Sequence, residues 1–418
     1  MEKPIVYVYE EEIIKFISDA QDKIRGVAFE WEHENVFHIH TVAPKTPVSG
    51  LPCKSFMLKV SHDIFTLSNE KLLQNLELSD EFRGCNFTKK AVISVFSRSE
   101  SRIVKKSFLY ENTVLTDCET LYVPQKSELY SRSKGILEVG ILEQKKVAVV
   151  GLGSFGSHIA VELAKAGVGN FKLFDFDRVE LSNIARHICG INDLGRYKTH
   201  AIRDAVLLKN PYTDVSTFEI NINENGVLFS EEIEDCDLIL CLTDENRSRQ
   251  YINDLSIEKQ KKVIYGRAIT RAEGGDIFRY TPEKEKPCLA CLIGKGLFKY
   301  KEEEISNKKQ LARDLPAYTS VEENESVIQV GLSSDILPIC NMIVKLSLVE
   351  LSKGLQSGIS SLEEDLVADY YLWVNRREKK YKNWEKLEYR ANQLSILRWY
   401  GVRVAKDSHC LTCNDVSS

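Results

Sequence analysis

The stretch VAVVGLGSFGSHIAVELAKAGVGNFKLFDFDRVELSNIARH, residues 147–187, decides the fold. An apolar run is followed by Gly151, Gly153 and Gly156, a helical pattern, a second apolar run, NFKLF, and then Asp175. That order predicts a βαβ crossover whose backbone N–H groups approach a phosphate, with Asp175 placed to accept hydrogen bonds from ribose hydroxyls. A carried NAD and a reacting ATP suit such a unit equally well. The glycines alone do not choose, because they also serve helix–strand packing.

The residues after Asp175 separate the two nucleotides. Asn183 and Arg186 stand three apart, so a helix starting near Ser182 would bring both to one place beside the phosphates. Lys198 follows in LGRYKTHA, and Asp244 ends the apolar run of LILCLTDEN, where its carboxylate could hold Mg²⁺. Hydride transfer has little use for this polar and cationic set beside the adenosine half. Attack on an α-phosphate has a strong use for it, since charge developing on phosphoryl oxygens is stabilised by fixed Arg, Lys and Asn donors and by Mg²⁺. Singly, each reads as a surface charge or a helix cap. Together, in this order, they point to ATP.

Around this unit the 418 residues allow two or three domains, and 43% hydrophobic content is ordinary for a globular protein. A formal charge of −5 gives no general pull towards nucleic acid or an anionic membrane. The start, MEKPIVYVYEEEIIKF, has no basic segment followed by a long apolar run, and no later stretch has the length of a membrane span. The expectation is a cytoplasmic protein. Residues 1–125 mix β-rich runs (GVAFEWEHENVFHIHTVA, KKAVISVFSRSE) with the amphipathic helix EEIIKFISDAQDKI, and read as a separate N-terminal α/β domain. Its His38 and His40 would share one strand face, with no clear third metal ligand. Between Gln144 and Thr281 strands and helices alternate, as in an open, mainly parallel sheet wrapped by helices. Residues 295–330 are charged and poorly periodic, and read as a long crossing segment. The apolar helix SSDILPICNMIVKLSLVEL follows, and YYLWV and SILRWYGVRV read as strands that return the tail to the body.

Among eleven cysteines, Cys288, Cys291, Cys410 and Cys413 form C-x-x-C…C-x-x-C, each pair able to present two thiolates to one tetrahedral ion. The spacing predicts a closed structural zinc site tying the chain end to the sheet domain. Cys53, Cys85, Cys118, Cys189, Cys236, Cys241 and Cys340 sit mostly in apolar surroundings and read as buried thiols.

The stretch from Tyr130 to Asp244, with PCLAC beyond it, resembles the ThiF-type adenylating domain of the ubiquitin-activating enzyme superfamily. DFDRVELSNIARH matches that family's D-x-D-x-V-x-x-S-N-x-x-R pattern. The resemblance implies a Rossmann-like adenylation domain over residues 126–418, carrying the crossover segment and a C-terminal zinc-linked β segment. It implies that Asp175 holds the ribose, Asn183, Arg186 and Lys198 the phosphates, Asp244 the magnesium, and the four paired cysteines zinc. Arg132, in LYSRSKG, matches an arginine that the family inserts into the partner subunit's ATP site, which implies a homodimer. Ser154 departs from a glycine frequent in the family's loop.

The implied activity is ATP-dependent adenylation of the C-terminal carboxylate of a ubiquitin-like protein or peptide, for a downstream conjugating protein. A sulfur carrier or a ribosomal peptide as substrate, and a catalytically silent dimeric scaffold, are the alternatives; the intact Asn183, Arg186, Lys198 and Asp244 argue against the scaffold. By analogy, an extra N-terminal domain suits bacterial ubiquitin-like conjugation systems, some of which serve in antiviral defence. Members that carry their partner as a thioester usually keep the nucleophilic cysteine in the crossing segment. Here no cysteine lies between Cys291 and Cys340. Cys340, among Ile336, Ile339 and Ile343 at helical spacing, and Cys189 are weak candidates, and Tyr318, Thr319 and Ser320 are poor nucleophiles without a base.

Overall fold

A computed structural model describes residues 3–31, 34–41, 49–78, 90–99, 102–123, 129–133, 135–269, 272–298, 331–375 and 395–414. The chain forms two compact units, Met1–Arg132 and Ser133–Ser418.

In the first unit β1 (Ile5–Tyr9) leads into α1 (Glu10–Ser18), followed by β2 (Lys23–Trp31), β3 (Val36–His40), β4 (Leu51–Lys59), α2 (Asn69–Leu78), β5 (Lys90–Ser99), β6 (Arg102–Glu111) and β7 (Val114–Val123). The strands close into a barrel in the order β1-β3-β2-β4-β5-β6-β7, with β7 pairing back onto β1 in parallel. Alternation along β5 divides its side chains between two cores. Val92 and Phe96 pack with Ile13 and Phe16 of α1, whereas Ala91, Ile93 and Val95 pack with Leu72 of α2. The helix expected over EEIIKFISDAQDKI stops at Ser18, because Asp19 turns extended and the chain is already in β2 at Lys23.

The second unit runs α3 (Val139–Leu142), β8 (Lys146–Val150), α4 (Ser154–Lys165), β9 (Asn170–Phe174), α5 (Lys198–Lys209), β10 (Asp214–Phe218), α6 (Gly226–Glu232), β11 (Leu238–Cys241), α7 (Asn246–Glu258), β12 (Val263–Ala268), β13 (Gly274–Tyr280), α8 (Leu289–Gly294), α9 (Ser333–Ser352), β14 (Tyr370–Val374) and β15 (Arg398–Val402). Its sheet has the order β10-β9-β8-β11-β12-β13-β14-β15. The first five are parallel, and β13, β14 and β15 add on antiparallel. Both faces are covered. Val147 and Val149 of β8 pack with Ile159 of α4 and Ile339 of α9, while Ala148 and Val150 pack with Phe229, Ile252 and Leu289 of α6, α7 and α8. A strand buried on both faces is apolar at every position, which is why VAVV shows no alternation.

From β8 the chain moves outward through β9 to β10, then returns to β11 on the other side of β8. The order reverses between β8 and β11, and in open α/β sheets ligands bind at the carboxyl ends of the strands at such a switch point. The expected crossing segment lies, from residue 299 to 330, outside the described residues, as do Tyr318, Thr319, Ser320 and Cys85.

Candidate active site

At the switch point the loops after β8 and β11 touch. Gly151 has φ +89°, and a Cβ there would stand 2.9 Å from the Leu242 carbonyl and 3.0 Å from the Thr243 nitrogen. A Cβ at Gly156, in the first turn of α4, would lie 2.0 Å from the Gly151 carbonyl oxygen. Only glycine permits either approach. A Cβ at Gly153, by contrast, would meet nothing within 4 Å, so this side of the loop is open. Gly153 caps the N-terminus of α4, whose first N–H groups are an anion site.

Asp175, at the carboxyl end of β9, accepts hydrogen bonds from the Leu152 N–H (2.7 Å) and the Asp177 N–H (2.8 Å). Burial pushes its carboxyl above the usual range, against the pull of Lys198. Lys198, the first residue of α5, is buried and donates to Asp177 Oδ2 at 2.7 Å. Burial opposes its charge, but Asp175 and Asp177 outweigh that, and its pKa stands above the ordinary lysine value. Asp244 adds to the same field. It is exposed just beyond β11 and hydrogen-bonds to nothing among the described residues. It does not cap α7, whose N-cap is Glu245.

The helix expected from Ser182 is instead a single 3₁₀ turn, Leu181–Asn183. Its cause is local: Asn183 Oδ1 accepts the Glu180 N–H at 3.0 Å, which closes a turn with Ser182, the expected helix start, inside it. The Asn183 Nδ2 donor has no acceptor among the described residues. Arg186 follows, its N–H bonded to the Asn183 carbonyl at 3.0 Å. The Arg186 guanidinium is half-buried, lowered by burial from its ordinary value, and has no acceptor among the described residues. A buried guanidinium carries five donors that need acceptors. An anionic ligand would supply them.

Sequence spacing does not single out His187. It is buried, its Nε2 lies 2.6 Å from the Leu152 carbonyl oxygen, and its Nδ1 accepts the Cys189 N–H at 3.2 Å. Arg132, in a 3₁₀ turn at Ser131–Ser133, is exposed.

Away from this loop cluster the four paired cysteines come together. Cys288 Sγ stands 3.8 Å from Cys291 Sγ and 3.7 Å from Cys410 Sγ, and Cys291 Sγ stands 3.6 Å from Cys413 Sγ. Four sulfurs on one tetrahedral ion at about 2.3 Å lie about 3.8 Å apart. The set therefore fits a metal ion with all four positions filled by protein. The Asp407 N–H also points to Cys291 Sγ, at 3.5 Å. Of the remaining described thiols only Cys53 is half-buried and the others are buried: burial pushes Cys118, Cys189, Cys236 and Cys340 up to about 12, and Cys53 and Cys241 to about 11.

A model described as the ThiF family matches residues 136–393, more than half of the chain. The chain belongs to the ThiF family. The chain is 34% identical over 151 residues to the probable adenylyltransferase/sulfurtransferase MoeZ of Mycobacterium tuberculosis (strain ATCC 25618 / H37Rv), covering 35% of this chain and 38% of that protein. Ubiquitin-like modifier-activating enzyme 5 of Caenorhabditis briggsae is 30% identical over 184 residues, 40% of this chain and 42% of its own length. The ThiF chain thus spans about two fifths of the length of these relatives. The crystal structure of E. coli MccB with MccA-N7isoASN matches at 18% identity and a TM-score of 0.49, covering 70% of this chain and 75% of that one. Among the described residues, no helix is long and apolar enough to cross a membrane.

Proposed function

We propose that this protein uses ATP to adenylate the C-terminal carboxylate of a ubiquitin-like protein, for transfer to a downstream conjugating protein. The observation that carries the reading is the half-buried Arg186 guanidinium with no acceptor among the described residues, in a segment whose next residue, His187, is bonded to the glycine loop. An oxygen of the substrate carboxylate attacks the α-phosphorus, the bond to the β-phosphate oxygen breaks, and pyrophosphate leaves. The protein has no proton to move in this step. Its tasks are to hold the two reactants in line and to stabilise charge. Asp175 takes the ribose, and the N-terminus of α4, Asn183, Arg186 and Lys198 take the phosphates. Asp175, Asp177 and Asp244 would repel a polyphosphate on their own. Mg²⁺ held through Asp244 would reconcile them with it by neutralising phosphate charge.

The same site would accept a sulfur carrier or a ribosomal peptide, and the sulfurtransferase half of MoeZ's name favours keeping the carrier as a second reading. The active unit in this reading is a homodimer completed by Arg132. Phe176, Leu181, Ile188, Ile191 and Leu194, all exposed within the segment that carries Arg186, support such an interface. The four cysteines hold zinc as a structural clasp.

Radiolabelled pyrophosphate should exchange into ATP only when a protein or peptide with a free C-terminal carboxylate of the right kind is added. Asp244→Ala should raise the Mg²⁺ concentration needed as well as lower the rate. Exchange that runs without any carboxylate donor, or that no tested donor of the three classes elicits, would overturn the reading.

The acyl-adenylate is expected to pass directly to a thiol or amine on another protein. Cys189 and Cys340 are buried with thiols held near 12, so neither supplies thiolate at neutral pH. On a non-reducing gel no adduct should accumulate. A reductant-sensitive band lost in Cys340→Ala or Cys189→Ala would show that one of these thiols reacts despite its burial.

A further inference from the structure

We propose that His187 is a positioning residue that aims the glycine loop's phosphate-facing donor. Only one tautomer satisfies both of its contacts. A carbonyl can only accept and a backbone N–H can only donate, so Nε2 carries the proton that goes to the Leu152 oxygen, and Nδ1 is bare towards the Cys189 N–H. Burial holds the imidazole down at about 4, and the charge of Lys198 works in the same direction, so the ring is neutral at pH 7.

The contact at Leu152 matters because of what that peptide group carries. A planar trans peptide points its C=O and N–H in opposite directions. With the Leu152 oxygen drawn to His187, the N–H of Gly153 in the same peptide group must point the other way. The preceding peptide is fixed as well, since the Leu152 N–H is held by Asp175 Oδ2 at 2.7 Å. Gly153 lies at the N-cap of α4 on the open side of the loop, where a backbone donor meets an incoming phosphate. On the other side of His187, Arg186 is its chain neighbour, and the Arg186 N–H is held by the Asn183 carbonyl at 3.0 Å. One continuous chain of bonds therefore joins Asp175, the Leu152 peptide, His187 and the backbone of Arg186. It sets the ribose carboxylate, the loop donor and the phosphate-binding arginine in one fixed relation.

The proposal rests on the ATP-dependent reading above, and the test separates the two. ATP affinity is measured by calorimetry without any carboxylate donor, and pyrophosphate exchange is measured with one. In His187→Gln the amide nitrogen takes the place of Nε2 and keeps the bond to Leu152. In His187→Asn the side chain reaches only the Nδ1 position, so the Cys189 contact survives and the Leu152 contact is lost. ATP affinity is expected to fall about tenfold in His187→Ala and His187→Asn, the scale of one lost charge-assisted hydrogen bond, and to stay within about threefold of the original in His187→Gln. A ring that merely fills space would lower the melting temperature in all three and leave the ATP affinity of the folded protein unchanged. That result, or Gln behaving like Ala, would overturn the proposal. If the original protein binds ATP but never exchanges pyrophosphate, the adenylation reading fails while the ordering of the three variants still decides the role of His187. If it binds no ATP, both fail.

Discussion

Arg186→Ala is expected to lower pyrophosphate exchange about a hundredfold or more, the scale found when one fixed donor to developing charge is removed. The size of the effect follows from the present state of the side chain. It has no acceptor among the described residues, so alanine breaks no ion pair within the protein and the loss falls on the ligand. Melting temperature should therefore change little. Lys198→Ala should be equally damaging to rate but different in kind, because Lys198 compensates Asp175 and Asp177. Without it two carboxylates face each other at the ribose end, and stability and ATP affinity should fall along with the rate. Arg203→Ala is the control: Arg203 is paired with Asp204 on α5 and is expected to exchange at the original rate. Exchange unchanged in Arg186→Ala and Lys198→Ala, with the cognate carboxylate donor present, would place the chemistry elsewhere.

The sheet was legible in the sequence because each of its signals is local. VAVV, the three glycines and Asp175 succeed one another within one crossover, and the positive φ of Gly151 and the closeness of Gly156 to its carbonyl are what those glycines serve. The cysteine clasp was legible for a similar reason, since C-x-x-C fixes two ligands locally and leaves only the pairing to tertiary structure. What could not be read depends on contacts between distant segments. The barrel of residues 5–123 closes through β7 pairing with β1, more than a hundred residues away in sequence, and no periodicity announces such a closure. Ser182 resembles a helix start and would put Asn183 in the first turn, yet the Asn183 oxygen closes a tighter 3₁₀ turn instead. Nothing in the sequence singles out His187, because its role exists only once the loop after β8 folds against it, 35 residues from its own position.

The four paired cysteines are expected to hold one zinc ion per chain, and removing it should cost on the order of 3 kcal/mol, a fall in melting temperature of roughly 6–12 °C. The estimate lies well below the binding free energy of an isolated zinc finger, because here the sheet keeps its own core without metal. What depends on the ion is the tail. Beyond β15 the chain runs to Cys410 and Cys413, and it meets α8 at Cys288 and Cys291, with the Asp407 N–H at Cys291 Sγ and Lys406 Nζ at the Lys284 and Cys413 carbonyls. Cys288 and Cys291 are fully buried. Without metal the four sulfurs lose their common ligand, and the tail loses the interaction that closes it onto the sheet. Cys410→Ser should lose the zinc and acquire the lower melting temperature, and a strong chelator should give the original protein the same instability. Cys241→Ser, a thiol outside the cluster, should keep its metal. Exchange per folded molecule, measured well below the melting point, should be nearly unchanged in Cys410→Ser, because a site with four protein ligands has no position left for substrate. Metal analysis of freshly purified protein finding no zinc, together with a Cys410→Ser variant as stable as the original, would sink the assignment.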